Sequence, residues 1–236
     1  MHLRGKDFDQ AKALTPLGLG YLAAYLKKYL NFHDLALEVD DPAKLLKHDP
    51  DVIGISSFTE TFEEVIKHAR YLKSVAPHVP IILGGEHISA LPESLPSSVD
   101  IGVVGEGEET MTEIMSLFLK REATPDNLAK VNGIVFWNNG QRVITPDRSW
   151  IMDMDSIPAP DREFLGLPNE VWQQSIFTAR GCPYKCTFCA STRFWQKTRY
   201  HSIERVVSEV QYIVDHYPNQ PLISINDDLL PLNKKR

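Results

Sequence analysis

All three cysteines of the chain fall within eight residues, in the run Cys182-Pro-Tyr-Lys-Cys186-Thr-Phe-Cys189. Clustered cysteines are typical of metal sites in compartments where thiols stay reduced. A structural zinc site takes four protein ligands, most often from CxxC pairs. The chain has no fourth cysteine, so a zinc site would need another ligand, such as His201. An iron–sulfur cube held by only three thiolates would instead keep one iron open for a bound ligand.

Two adjacent carboxylates, Asp227 and Asp228, come directly after a strand predicted over residues 222–226. In parallel α/β folds, the groups that bind ligands lie at the carboxyl ends of the strands. We therefore expect these carboxylates to accept hydrogen bonds from a ligand. The alternative is a solvated acidic turn.

Three loops follow three predicted strands, at residues 56–59, 84–87 and 105–108. If the strands are parallel, these loops emerge at the same edge of the sheet. Small residues there let a large ligand approach the backbone, and hydroxyls or amides can bond to it. The candidate ligand-binding residues are Ser56, Ser57, Gly84, Gly85, Gly105, Glu106 and Gly107. We interpret His87, in the second loop, as a surface or helix-capping residue.

Short apolar runs alternate with amphipathic patterns along the chain, which predicts an α/β fold. Helices are predicted over residues 15–29, 43–47, 111–118 and 202–217, and another starts at a capping box of Thr61 and Glu64. Strands are predicted over residues 35–39, 51–56, 80–83, 101–104, 175–179 and 222–226. Two β-prone runs flank Asn139-Gly140, and Asn-Gly is the strongest short-range signal for a hairpin.

Four prolines, at positions 146, 158, 160 and 168, lie in a polar stretch that is typical of a linker. We therefore expect an α/β domain over residues 1–130, a hairpin and proline-rich linker over residues 131–170, and a second domain over residues 171–236.

The composition is that of an ordinary globular protein. The 236 residues include 25 basic and 31 acidic side chains, and no basic stripe stands out, which disfavours a nucleic-acid partner. No apolar run reaches the roughly 18–20 residues that a membrane helix needs. No charged-then-apolar signal segment follows Met1. We therefore expect a cytoplasmic protein without a membrane partner.

The CxxxCxxC spacing, the aromatic residue before the last cysteine and the preceding Thr178-Ala-Arg-Gly181 resemble the radical S-adenosylmethionine (SAM) family. The resemblance implies a [4Fe–4S] cluster on Cys182, Cys186 and Cys189, with SAM bound at the open iron. It also implies that Phe188 lies beside the adenine and that Asp227 or Asp228 accepts hydrogen bonds from the SAM ammonium. One electron, from a flavodoxin- or ferredoxin-type donor, then releases a 5′-deoxyadenosyl radical.

The segment over residues 14–26, with Gly-Gly-Glu-His and Gly-Glu-Gly-Glu-Glu-Thr, resembles the cobalamin-binding domain of B12-dependent radical SAM proteins. The resemblance implies a flavodoxin-like (Rossmann-like) domain in which the seven loop residues named above line the cobalamin, followed by the start of a radical SAM partial (β/α) barrel. The DxHxxG motif that supplies a cobalt-ligating histidine in classical methylcobalamin proteins is absent. His87 lies in the wrong loop to replace that histidine.

These features together imply an enzyme that acts on a small-molecule substrate by radical chemistry, through methyl transfer, rearrangement or cyclisation. The stretch from Cys182 to Arg236 has room for only two strands and a helix, so we expect an incomplete barrel. Three alternatives stay open: a cobalamin carrier with a catalytically dead radical SAM remnant, a first domain that keeps the fold without the cofactor, and a zinc-stabilised interaction protein.

Overall fold

The computed structural model describes residues 16–38, 41–166, 174–195, 197–219 and 222–230. Within these residues the chain forms two compact units, one from residues 25–150 and the other from residues 16–24 and 151–230. The division falls inside the first helix, α1 (Leu17–Leu30). It differs from the three expected segments because the hairpin belongs to the first unit.

The first unit is built on a sheet of five described strands in the order β1-β2-β3-β4-β5. The first three strands run parallel, and an antiparallel hairpin extends the sheet beyond them. This is the expected α/β fold. The strands are β1 (Ile53–Ser56), β2 (Ile81–Gly84), β3 (Ile101–Val103), β4 (Ile134–Asn138) and β5 (Gln141–Ile144).

Helices pack on this sheet because successive strand residues point to opposite faces. In β2, Ile81 and Leu83 belong to the buried cluster that contains Leu72, whereas Ile82 belongs to the cluster that contains Ile114. Burying each such side chain stabilises the fold by roughly 1.5–3 kcal/mol. The helices of this unit after α1 are α2 (Pro42–Leu46), α3 (Phe62–Val75), α4 (Glu86–Ala90), α5 (Gly107–Leu119) and α6 (Pro125–Leu128).

The hairpin predicted at Asn139-Gly140 is present, since β4 and β5 pair antiparallel on either side of these two residues. Asn139 and Gly140 both take left-handed backbone conformations, with φ of 49° and 76°. Two successive positive φ angles match a type I′ turn, whose twist suits the two flanking strands. The turn therefore sets the pairing of Asn138 with Gln141.

The second unit contains two small sheets. Strand β6 (Gln174–Ile176) pairs in parallel with β9 (Ile223–Ile225), and β7 (Ala179–Arg180) pairs antiparallel with β8 (Arg199–Tyr200). Along the chain, helix α7 (Ser191–Phe194) lies between β7 and β8, and helix α8 (Ile203–His216) lies between β8 and β9. The Ser202 hydroxyl starts α8 by accepting a hydrogen bond of 3.1 Å from the Arg205 amide.

Two sequence predictions about local structure are wrong. Residues 35–38 have no regular secondary structure, because an apolar run becomes a strand only where a neighbouring edge pairs with it. Val39, the last residue of that predicted strand, lies outside the described residues. Thr61 does not cap α3, since its hydroxyl bonds to the Phe58 amide and carbonyl and closes a short 3-10 turn over Thr59–Thr61 instead.

Of the helices that the structure describes, none combines the length and the apolar character that crossing a membrane requires.

Candidate functional site

The cysteine loop, residues 182–189, follows Gly181, whose backbone conformation and surroundings require glycine. Gly181 has a φ of 90°, and a Cβ there would collide with the Lys197 carbonyl oxygen. Within the loop, the Cys189 amide donates to the Cys186 carbonyl at 3.1 Å. Cys186 is exposed and the other two cysteines are half-buried. Phe188 is 91% exposed, so its ring is available to cover a ligand.

Among the described residues, the three cysteines do not form a preassembled metal-binding group. All three cysteines lie among the described residues and none forms a disulfide. In that part of the chain, no group of three or more His, Cys, Asp and Glu side chains is placed to hold a metal ion. The donor set itself still suits an iron–sulfur cluster, since three reduced thiols on one accessible loop are the ligand type such clusters take.

His201, the candidate fourth ligand for zinc, has a structural role in this fold. Its side chain is buried, and its Nδ1 lies 3.1 Å from Oδ1 of Asp155. Burial lowers the pKa of His201, while the bond to Asp155 works against that shift. The ring joins the start of α8 to the 3-10 turn Met154–Ser156.

Asp227 and Asp228 bind the lead-in to the cysteine loop, which we define as residues 178–181. Oδ1 of Asp227 accepts from the amides of Thr178, at 2.6 Å, and Ala179, at 3.0 Å. Its Oδ2 accepts from the Thr178 hydroxyl at 2.5 Å. Oδ2 of Asp228 accepts from the Gly181 amide at 3.1 Å. Asp227 is therefore not a solvated turn residue, whereas Asp228 is exposed and accepts from the Gly181 amide. A bond from either carboxylate to the SAM ammonium stays a prediction.

In the first unit, the three candidate loops lie at the carboxyl ends of the parallel strands β1, β2 and β3, which is the placement predicted from the sequence. We call this place the loop edge. Ser56 is the register partner of Gly84, and the Ser57 amide donates to the Gly84 carbonyl at 3.1 Å. Gly85 has a φ of 107°, and a Cβ there would collide with the Ser57 carbonyl oxygen. The first two loops are therefore in close backbone contact.

The third loop is tied to the second by a residue that the sequence reasoning missed. The Ser89 hydroxyl donates to the Gly85 carbonyl at 2.8 Å and accepts from the Gly105 amide at 3.0 Å. Glu106 is buried just before α5, and Gly107 is the first residue of that helix. The signal for Ser89 was its place one helical turn after the Gly-Gly pair.

Two observations at the loop edge are consistent with a bound polar group. A Cβ built at Gly84 would meet no atom within 4 Å, so the backbone there is open to close approach. The Ser57 hydroxyl is buried without a hydrogen-bond partner among the described residues. A buried orphan hydroxyl is costly unless a bound group satisfies it.

His87 is neither a surface residue nor a helix cap, and that interpretation is wrong. Its side chain is buried, and its ring stacks on Phe62 with centroids 3.7 Å apart. Its Nδ1 lies 3.1 Å from the Thr59 hydroxyl. Burial lowers the pKa of His87, because the charged ring would lose its hydration.

Sequence reasoning also missed a buried ion pair in the second unit. Nη2 of Arg162 lies 2.6 Å from Oε1 of Glu209, and the two side chains are 1% and 4% exposed. Arg162 also donates to Oε1 of Gln174 at 2.7 Å and to the Ser175 carbonyl at 2.8 Å. The sequence did carry a signal for this pair. Glu209 lies three residues after Val206, which puts a charge on the apolar face of α8.

Several known proteins are similar to this chain in sequence. Residues 11–115 match the family described as B12 binding domain. The chain is 32% identical to the uncharacterized methyltransferase PH0819 of Pyrococcus horikoshii, over 94% of this chain and 50% of that protein. It is 28% identical to cytidylyl-2-hydroxyethylphosphonate methyltransferase of Streptomyces wedmorensis, over 89% of this chain and 50% of that protein. The chain thus spans about half the length of these relatives.

The fold resembles two solved structures. The cobalamin-dependent SAM radical enzyme OxsB, with aqua-cobalamin and SAM bound, matches with a TM-score of 0.78 and 21% identity, over 98% of this chain and 34% of that one. The radical SAM methyltransferase TsrM of Kitasatospora setae matches with a TM-score of 0.68 and 17% identity, over 96% and 47%. Residues 11–115 therefore match a B12 binding domain, and the chain as a whole is similar in sequence to proteins named methyltransferases and in fold to cobalamin-dependent radical SAM enzymes.

Proposed function

We propose that this protein is a radical SAM enzyme that binds a [4Fe–4S] cluster through Cys182, Cys186 and Cys189 and binds cobalamin at the loop edge. The proposed reaction is methyl transfer to a small-molecule substrate. The observation that carries the proposal is the presence of a B12-binding domain and a three-cysteine loop in one chain. Both relatives described above are named methyltransferases, whereas a relative from Cereibacter sphaeroides is named anaerobic magnesium-protoporphyrin IX monomethyl ester cyclase, so cyclisation is the alternative outcome.

The cysteine loop supports the cluster half of the proposal through its accessibility. A loop with one exposed and two half-buried thiols can close around a cluster with little loss of packing. When bound, the cluster supplies one electron to SAM, and a flavodoxin- or ferredoxin-type protein is the proposed donor. Phe188 is the proposed contact to the adenine. Reduced thiols suit a cytoplasmic setting.

The loop edge supports the cobalamin half. Gly84 and Gly105 let a planar ligand approach two strand ends, and the buried Ser57 hydroxyl offers a polar partner. Ser56, Gly85, Glu106 and Gly107 complete the proposed lining. No DxHxxG motif supplies an imidazole, so the cobalt is proposed to bind without that histidine.

Anaerobic reconstitution with iron and sulfide tests the cluster. We expect the wild-type chain to gain visible cluster absorbance and then, with dithionite and SAM, to form 5′-deoxyadenosine. Cys186→Ala should lose both signals, because it removes one of three ligands. Lys185→Ala changes the neighbouring exposed position and should keep both.

Two results would contradict the proposal. Bound zinc without iron in the wild-type protein would select the zinc-stabilised interaction protein. Retention of cobalamin without formation of 5′-deoxyadenosine would select a cobalamin carrier.

A further inference from the structure

Asp227 connects two neighbouring strands of the second unit at their carboxyl ends. It follows β9, and its three hydrogen bonds reach the two residues Thr178 and Ala179 just beyond β6. Both of these residues are buried, 6% and 4% exposed. Since a buried amide without a partner is costly, this stretch of backbone depends on a carboxylate supplied from 49 positions away in the chain.

Strand β8 also holds the lead-in. Ala179 pairs with Tyr200 and Arg180 with Arg199, and the His201 amide donates to the Thr178 carbonyl at 3.0 Å. The lead-in is therefore bonded to two separate segments of the chain, whereas most of the cysteine loop after it is exposed. The lead-in is thus bonded to the rest of the unit, while the cysteine loop that carries the candidate ligands is accessible.

We propose that Asp227 is a positioning residue, which fixes the lead-in and so sets the direction in which Cys182 enters the cysteine loop. Three of the roughly four acceptor sites of a carboxylate are used in these bonds. The two backbone amides and the Thr178 hydroxyl therefore use most of the acceptor capacity of Asp227. The link to a cluster rests on the function proposed above.

Four variants of the full chain test this role. Asp227→Ala removes all three bonds. Asp227→Asn keeps one oxygen for the two amides and offers an NH₂ to the Thr178 hydroxyl, so it is the conservative rescue. Thr178→Val removes only the hydroxyl bond with little change in shape. Asp215→Ala, at an exposed site on α8, is the control for loss of a carboxylate.

The first readout is hydrogen exchange in the cluster-free protein. We expect the amides of residues 178–181 to exchange about tenfold faster or more in Asp227→Ala, because bonds to a charged acceptor are among the stronger ones. Thr178→Val should be intermediate, and Asp227→Asn close to wild type. The second readout is the rate at which a chelator removes iron from the reconstituted protein, which should rise about tenfold in Asp227→Ala by the same reasoning.

The outcomes separate this inference from the proposed function. Wild-type exchange in Asp227→Ala would overturn the inference, as would faster exchange with unchanged iron loss, and the proposed function would stand in both cases. If Asp227→Ala does not fold, Thr178→Val and Asp227→Asn must still differ in the predicted order. A wild-type protein that assembles no cluster would contradict the proposed function and, with it, the role of Asp227 toward the cluster.

Discussion

Two adjacent glycines of the loop edge are present for different physical reasons. Gly85 is required by the fold, because its φ of 107° and its contact with the Ser57 carbonyl leave no room for a side chain. Gly84 is not, since a Cβ there would meet nothing within 4 Å. A glycine that the fold does not need is the one whose substitution can report on a ligand.

Gly84→Val should weaken cobalamin binding about tenfold or more, because overpacking a close contact costs typically 1–3 kcal/mol. The free energy of unfolding should change little, since the space is open and valine suits a strand. Spectroscopic titration with hydroxocobalamin measures the affinity.

Gly54→Val is the matched control. Gly54 is an exposed position in the adjacent strand β1, and a Cβ there also meets nothing within 4 Å. This variant should keep the wild-type affinity for cobalamin. Equal affinities for all three proteins would remove Gly84 from the ligand site.

His87 makes the stability of the first unit depend on pH. Its pKa in the folded protein lies below the ordinary value of 6.5, so the fold binds the proton less well than the unfolded chain does. The fold is therefore most stable, as far as His87 is concerned, above the pKa that this histidine has in the unfolded chain. That stability is lost as the pH falls toward the lower pKa of His87 in the folded protein. The free energy of unfolding should therefore fall between about pH 7.5 and about pH 5.5. His201 acts in the same direction in the second unit.

Urea unfolding of His87→Gln at both pH values measures this contribution. The variant should lose less stability on acidification than the wild type. His78→Gln should keep the wild-type loss, because that ring is exposed to water. An unchanged loss in His87→Gln would show that the ring does not need to be neutral in the fold.

At the scale of elements, the second unit depends on polar contacts as well as on apolar packing. Arg162 joins the segment before β6 to the buried Glu209 of α8, and it also binds the side chain of Gln174. Removing one partner of a buried pair leaves an uncompensated charge, whereas replacing both partners with apolar side chains is often tolerated. Through Arg162, the pair links Glu209 of α8 to Gln174 and Ser175 of β6.

Arg162→Met should lower the free energy of unfolding by roughly 3–5 kcal/mol, since Glu209 would stay buried with its charge only partly compensated by Arg205. The double variant Arg162→Met/Glu209→Leu should recover much of this loss. Urea denaturation of both proteins measures the difference. A double variant that is no more stable than Arg162→Met would argue against the charge as the cause.

At the scale of the whole molecule, the two proposed cofactor sites belong to different compact units. The loop edge lies in residues 25–150, and the cysteine loop lies in the unit that contains residues 151–230. Each site has its own supporting contacts: Ser57 and Ser89 hold the first, and Asp227 and Asp228 hold the second. The two halves of the proposed function can therefore be tested separately.

Cys182→Ala should lose iron binding while it keeps wild-type affinity for cobalamin. Gly84→Val should show the reverse, with wild-type iron content after reconstitution. Iron analysis and hydroxocobalamin titration of both proteins measure these effects. Loss of both cofactors in either variant would contradict independent sites.

The sequence by itself determined the features that depend on neighbours in the chain. The spacing of Cys182, Cys186 and Cys189, the Asn139-Gly140 turn and the glycine loops after the strands were all readable, because spacing and turn chemistry are local. The same local reasoning failed for residues 35–38 and for Thr61, where the outcome depended on which partner the fold supplied.

Only the tertiary structure decided what the buried polar groups do. Asp227 bonds to Thr178 across 49 positions, and Arg162 to Glu209 across 47. These partners meet because β6 pairs with β9 and α8 packs against β6. No local pattern encodes such a meeting, since a carboxylate after a strand has the same sequence signature whether it faces a ligand or a backbone amide.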